Sequence, residues 1–291
     1  MKKILFKILR YSGIPTILRE TIQKNKVTII TFHDPLPETF KETITYLKKY
    51  YNIIPLSLYV EYLMSNRVVP SKAIIITLDD GHKNNYKLLK SIKEYCVPIT
   101  IFLCSEIVGT TRHFWWTHKI NQYNLRHLKK MPEKERRDFY KKFNFDYLTE
   151  YGKESRQSLS MEEVNDMLSS GYVDFQSHTM YHALLNKCDD TLSFNELHYS
   201  KINLEKKLNT NIYALAYPNG FYSDRDIINA QKSGYKCALS IEPGFNSIKT
   251  NPFQLKRLGI SDNAKICEII VKTSGLWGLF KKMKKLILPS I

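Results

Sequence analysis

Two adjacent carboxylates, Asp79 and Asp80, and two imidazoles four residues apart, His178 and His182, are the groups in this chain best suited to hold a cation and move a proton. The spacing His178-x-x-x-His182 is one helical turn, which lets both rings reach a single divalent ion. A carboxylate from elsewhere completes a His-His-Asp set and leaves positions open for water and a carbonyl oxygen, the pattern of a catalytic site. Asp80 is the natural third ligand. If the backbone there is still extended, Asp79 points the other way, so it is free to take a proton as a general base. His33-Asp34 ends another β-branched run and is a further candidate. Each piece also has a plain structural reading: Asp-Asp-Gly suits a turn, and His33 suits a hydrogen-bonded structural role.

These groups need elements to bring them together. VTIITFH (27–33), AIIITLDD (73–80) and VPITIFLC (97–104) have the composition and length of buried strands, and KNNYKLLKSIKEY (83–95) between the last two has helical character. Strand, helix, strand is the signature of a parallel sheet. Ser160 with Glu163 forms a capping box that starts a helix over 160–171. A strand follows at 172–179, then a helix over 191–209, a strand at 212–218, a helix over 223–234, and strands at 235–241 and 253–261. Residues 111–160 break the rhythm and read as an inserted, mostly helical segment. The predicted class is α/β, a barrel-like sheet in which the C-terminal strand ends converge on one mouth.

The ends of the chain differ from its middle. Residues 1–26 form a basic amphipathic segment with Ile4, Leu5, Ile8 and Tyr11 on one face. Residues 263–291 end in a second, where Leu276, Leu279, Phe280, Met283, Leu286 and Ile287 oppose Lys281, Lys282, Lys284 and Lys285. The central body is predicted to span 27–262. With 291 residues, 43% of them hydrophobic, a sizeable core is expected and wholesale disorder is excluded. The net charge of +16 points to a polyanionic partner. No nucleic-acid-binding module is present, so nucleic acid is not the expected one. Five widely spaced cysteines without a C-x-x-C pair fit a reduced compartment. Lys7 and Arg10 interrupt what would be a signal-peptide core, and no stretch reaches the ~18 apolar residues of a membrane span. The expected location is cytoplasmic, soluble or peripheral at the inner membrane face.

In order and spacing, Thr77-Leu78-Asp79-Asp80-Gly81 and His178-Thr179-Met180-Tyr181-His182 resemble the T-F-D-D-G and H-S/T-x-x-H motifs of the polysaccharide deacetylases of the NodB-homology type, carbohydrate esterase family four. The resemblance runs from about Val27 to Ile260. It implies a distorted β/α barrel one strand short of the TIM type, with Asp79 as catalytic base and Asp80, His178 and His182 as metal ligands. A third motif, R-x-P-Y, is partly kept in Ala216-Tyr217-Pro218-Asn219-Gly220, with Ala216 where many members have an arginine. The late L-x-H motif, which supplies the general acid, is missing: Leu255-Lys256-Arg257 stands there, and His33 or Asp79 is left to protonate the leaving amine.

The resemblance therefore implies a metal-dependent hydrolase, with Zn²⁺ the first choice of divalent ion. It would remove N-acetyl or N-formyl groups from amino sugars of a polysaccharide or lipid-linked glycan of the cell envelope. The backbone N–H of Tyr181 is a candidate oxyanion donor. Tyr217 and Pro218 are candidate substrate contacts, and Trp115 and Trp116, with Phe114 and Tyr123, could stack on sugar rings, although paired aromatics more often anchor a segment than bind a ligand. Two rivals remain: a catalytically impaired sugar- or lipid-binding protein on the same barrel, and an O-acetyl esterase. The basic amphipathic ends also suit an anionic membrane surface.

Overall fold

The computed structural model describes residues 2–280; the lysine-rich end of the stripe expected beyond Phe280 lies outside the described residues. The chain opens with helices α1 (Lys2–Tyr11) and α2 (Ile14–Glu20), then β1 (Val27–Phe32), α3 (Pro37–Tyr50), β2 (Asn52–Ile53), α4 (Leu56–Ser65) and β3 (Ala73–Leu78). A 3₁₀ turn leads into α5 (Leu89–Tyr95), β4 (Ile99–Leu103), α6 (Asn121–Leu128), α7 (Glu133–Lys141) and α8 (Met161–Ser169). It continues through β5 (Val173–Ser177), α9 (Asp190–Leu208), β6 (Ala214–Ala216), α10 (Asp224–Lys232), β7 (Cys237–Leu239), β8 (Leu258–Gly259) and α11 (Ile266–Thr273).

Two compact units divide these elements. The first comprises residues 1–78, 87–100 and 241–291. Its strands β2, β3, β1 and β8 lie side by side, all parallel, with Val27 opposite Ala73 and Phe32 opposite Leu78. Every residue of β1 and β3 is buried, the pattern of parallel strands covered on both faces. Gln23 ties the N-terminal segment down: its amide donates to Thr28 Oγ1 and the Thr273 carbonyl, both at 2.8 Å, while its oxygen accepts from Tyr51.

The second unit comprises residues 79–86 and 101–240. β5 pairs with β6 and β6 with β7, again parallel. The expected capping box is present, with Ser160 Oγ accepting from Glu163 N and Glu163 accepting from Ser160 N. Ser223 and Asp226 form another at the start of α10. The segment at 111–160 carries α6 and α7 and a hydrophobic cluster of its own, in which Trp115, Leu128, Tyr140, Phe145 and Tyr147 are buried with Leu184.

Several elements are shorter than the sequence pattern suggests. The strand expected over 253–261 shrinks to Leu258–Gly259 because Asn251 caps a 3₁₀ turn at Pro252–Gln254, where Pro252 has no N–H for a ladder. The helix expected from 83 begins as a 3₁₀ turn, Lys83–Leu88. β2 carries too short a run to register as a strand in the sequence.

Gly81 is the backbone position on which the site depends. Its φ is +71°, it is buried, and a Cβ there would collide with Cδ2 of the fully buried Leu103. Gly81→Ala is expected to cost roughly 2–4 kcal/mol from left-handed strain and overpacking together, read as a lowered midpoint in urea denaturation.

Candidate active site

β3 ends at Leu78, and the next two residues are the buried carboxylates Asp79 and Asp80. Asp80 has φ +73°, so the chain turns there instead of continuing extended. That turn, and not strand alternation, is what sets the directions of the two carboxylates. β5 ends at Ser177, and His178 and His182 follow in a loop that is not helical. The helical spacing expected between them is replaced by left-handed residues at Thr179 (φ +67°) and His182 (φ +59°). A β-branched residue in that region is strained, and strain of this kind persists only where surrounding contacts impose it.

The turns bring three ligand atoms together. Asp80 Oδ1 lies 3.3 Å from His178 Nε2 and 3.5 Å from His182 Nε2, and the three side chains are buried. His178 Nδ1 is 2.7 Å from the Ala216 carbonyl oxygen. A carbonyl only accepts, so Nδ1 carries the hydrogen and Nε2 presents its lone pair to the cluster. The Trp116 ring packs against His182 with centroids 4.1 Å apart. Asp80 Oδ1 is buried without a hydrogen-bond partner, which is costly unless a cation meets it. One carboxylate oxygen and two imidazole nitrogens fit a divalent ion such as Zn²⁺.

The electrostatics of Asp80 and His182 agree with that donor set, while those of His178 favour its protonated ring, a proton that a bound cation would have to displace. Burial works to raise the Asp80 carboxyl, but the imidazoles of His178 and His82 and the charges of His182 and His82 hold it well below the ordinary range. Burial pushes His182 well below its usual value. It also pulls His178 down, where the charge of Asp79 and the contact with Asp80 overcome it and raise the ring.

Residues 66–238, more than half of the chain, match the family model described as polysaccharide deacetylase. The chain belongs to the polysaccharide deacetylase family. It is 23% identical over 200 residues to the "Putative polysaccharide deacetylase YxkH" of Bacillus subtilis, covering 68% of this chain and 55% of that one. It is also 23% identical over 237 residues to a poly-beta-1,6-N-acetyl-D-glucosamine N-deacetylase of Staphylococcus epidermidis, covering 78% and 68%. The chain thus spans little more than half the length of the first of these relatives. The structure of the Streptococcus pyogenes deacetylase PplD in complex with acetate superposes with a TM-score of 0.64 at 19% identity, covering 86% of this chain and 98% of that one. This likeness shows the fold: the α/β, distorted and incomplete β/α barrel expected from the motifs.

Within this chain, several expected contacts are placed differently. The Tyr181 N–H donates to Glu196 Oε2 at 3.1 Å, so it is already engaged and does not serve as a free oxyanion donor. Trp115 is fully buried: its indole N–H donates to the His182 carbonyl at 3.1 Å, and the Arg136 guanidinium covers its ring at 4.2 Å. It anchors the inserted segment to the histidine loop and offers no face to a sugar. Phe114 is likewise buried, and the Tyr123 side chain lies outside the described residues. Tyr217 and Pro218 are buried too, and the Tyr217 ring stacks on Tyr222 at 4.4 Å, so neither side chain is exposed to a ligand. Their segment instead supplies the Ala216 carbonyl to His178. His33 belongs to the first unit, where it is exposed and its N–H donates to Asp262 Oδ1 at 3.0 Å.

Other residues were not singled out by their sequence pattern. His82 Nε2 lies 3.2 Å from Asp80 Oδ2; its place directly after Asp-Asp-Gly was the available signal. Lys129, at the end of α6, donates to Asn219 Oδ1 at 2.6 Å and feels the charge of Asp80, while burial lowers its pKa. Glu196, inside α9, accepts from both Met180 N and Tyr181 N and so holds the loop between the two histidines. Nothing in a mid-helix glutamate signals this. Burial pushes its carboxyl up to about 7 from an ordinary 4.5, against the Tyr181 N–H and with the Glu133 charge adding to the rise. A carboxyl raised on folding carries no penalty below about 4.5, costs stability progressively as pH rises from there to about 7, and costs no more above it. Denaturation at pH values from about 4 to about 8 is expected to show the native chain losing on the order of 3 kcal/mol relative to Glu196→Gln, which keeps an acceptor without the charge.

Proposed function

We propose that this chain is a metal-dependent carbohydrate deacetylase that hydrolyses N-acetyl groups, or N-formyl groups, on amino sugars of a polysaccharide or lipid-linked glycan. The observation that carries the reading is the buried Asp80, His178 and His182 cluster with a second buried carboxylate, Asp79, next in sequence. The relative named for poly-beta-1,6-N-acetyl-D-glucosamine supports a β-1,6-linked N-acetylglucosamine polymer as the first substrate to try.

Asp80, His178 and His182 would hold the ion. Bound there, a divalent cation would polarise the amide carbonyl and acidify a water molecule. Asp79 takes the proton from that water as its oxygen bonds to the acyl carbon. When the carbon–nitrogen bond breaks, the nitrogen takes a proton and leaves as an amine, and the acyl group leaves as acetic or formic acid carrying the second proton of the water; the proton on Asp79 then passes through solvent to restore the donor. Lys129 is assigned as the proton donor to the nitrogen, in place of the late histidine the chain lacks. Its ammonium is partly buried in the same unit as the cluster, is fixed by Asn219 two residues before Phe221, and is coupled in charge to Asp80. The desolvation that lowers its pKa makes it a better acid. The His178 ring is held by Ala216 and the His182 ring by Trp116, so neither ligand has to reorganise during turnover.

Metal analysis of the purified chain is expected to show about one divalent ion per molecule, lost in Asp80→Ala and in His178→Ala. Asp79→Asn should retain the ion while acetate release from β-1,6-linked N-acetylglucosamine oligomers falls by about 10²–10⁴. Metal without acetate release would favour the sugar-binding reading, release from acetyl esters alone would favour the esterase, and absence of metal would remove the mechanism.

A separate test addresses Lys129. Lys129→Met should lower kcat by about 10²-fold or more at unchanged metal content. Lys129→Arg should recover part of it and shift the alkaline limb of the pH–rate profile upward. An unchanged profile in both variants would refute the assignment.

A further inference from the structure

The N-terminal helices carry more apolar surface than the first unit uses. α1 packs through Phe6, which is 6% exposed and whose ring lies 4.8 Å from that of Trp277. At 100° per residue, Ile4, Ile8 and Tyr11 fall on roughly the opposite side of the helix. They are 64%, 63% and 79% exposed. The face expected to be the single apolar stripe is therefore the one left uncovered, and the packing is done by a residue outside it. The exposed row continues past the left-handed Gly13 into α2, where Ile14 and Ile17 are exposed while Pro15 and Leu18 turn inward. Leu279 and Phe280, at the far end of the described chain, are exposed as well, and the Phe280 ring stacks on Trp277, which also meets Phe6.

The charges bordering this row are of one sign. Lys3 and Lys7 are exposed and lie with Arg10 along one flank of the stripe. Residues 1–26 hold seven basic residues and one acidic residue, and that acid, Glu20, is occupied by Arg19 and Lys72. Immediately after Phe280 the sequence runs Lys281, Lys282, Met283, Lys284, Lys285. An apolar row edged by cations, on a short helix, matches the headgroup–acyl boundary of an anionic bilayer: the side chains enter the acyl region and the lysines meet lipid phosphates. A protein partner would need an apolar groove with an acidic rim, and a second copy of this face would set like charges against each other. No described helix is long and apolar enough to cross a membrane, so the mode is one of lying in the interface.

We infer that α1 and α2 dock the first unit onto an anionic lipid surface through Ile4, Ile8, Tyr11, Ile14 and Ile17, with Lys3, Lys7 and Arg10 meeting the headgroups. The inference does not depend on the hydrolytic reading.

Flotation of the full chain with vesicles of phosphatidylcholine alone, or with about 30% phosphatidylglycerol, tests it. The native chain is expected to float with the anionic vesicles, weakly with the neutral ones, and less in about 0.5 M salt than in about 0.1 M. The triple variant Ile4→Glu, Ile8→Glu, Tyr11→Glu should lose at least about tenfold of the bound fraction at an unchanged thermal midpoint, because the three side chains are exposed. Lys3→Gln with Lys7→Gln should lower the preference for anionic over neutral lipid. Failure of the native chain to float, or flotation of the triple variant equal to native, would overturn the inference. So would a native dimer, measured without vesicles, that the triple variant abolishes, since the row would then be covered by a second copy.

Discussion

Everything around the candidate site answers to one buried carboxylate. Asp80 sits out of water with one oxygen toward His82 and the other toward two imidazole nitrogens, and that second oxygen lacks a hydrogen bond. An ionised oxygen left so would be expensive to bury. The arrangement is sustainable because the neighbouring rings hold the group ionised and because the donor set suits a cation. The left-handed turn at Asp80 and the glycine after it follow from the same need, since together they swing the carboxylate away from the strand direction.

Support for the histidines comes from a backbone carbonyl and a side-chain carboxylate supplied by separate elements. The Ala216 carbonyl at the end of β6 selects the tautomer of His178, while Glu196 on α9 ties down two consecutive N–H groups between the histidines. Thr179 and His182 adopt left-handed conformations that neither residue favours on its own. The two bonds to Glu196 and the contacts of Trp115 and Trp116 hold the loop in that form. The inserted segment thus acts as the outer wall of the histidine loop: Arg136 is stacked on Trp115 and paired with Glu133, which also accepts from Tyr147. Burying an Arg–Glu pair there stiffens the wall without any expectation of large net stability.

The first unit solves a different problem. Its strands β1 and β3 are buried along their whole length, and α1 packs on the body through Phe6 against Trp277. Two apolar rows on a helix of ten residues cannot both be satisfied by one surface. One row closes the core beside Trp277, and the other is available to a second solvent, with the basic flank deciding which solvent that is.

Periodicity and residue type were enough to read much of this from the chain alone. The β-branched runs of β1 and β3, the Ser160 capping box and the alternation of strands with helices are local signals, set by side-chain shape and by unsatisfied helix-end N–H groups. The cluster of Asp80, His178 and His182 was legible for a similar reason: few residue types ligate a cation, and two motifs in order restrict which of them meet. What the sequence could not determine was direction and occupancy. Trp115 and Tyr217 look like ligand contacts until packing buries them, and Tyr181 looks like an oxyanion donor until its N–H is found donating to Glu196. Glu196 and Lys129 carry no local signature, because each acquires its role from a partner far along the chain; the apolar face of α1 was legible as a stripe, and only packing decided that Ile4, Ile8 and Tyr11 stay exposed. Local sequence determined which elements form and which groups can do chemistry; the tertiary structure decided which way those groups face, since burial and hydrogen-bond partners are set by contacts that no short stretch of chain contains.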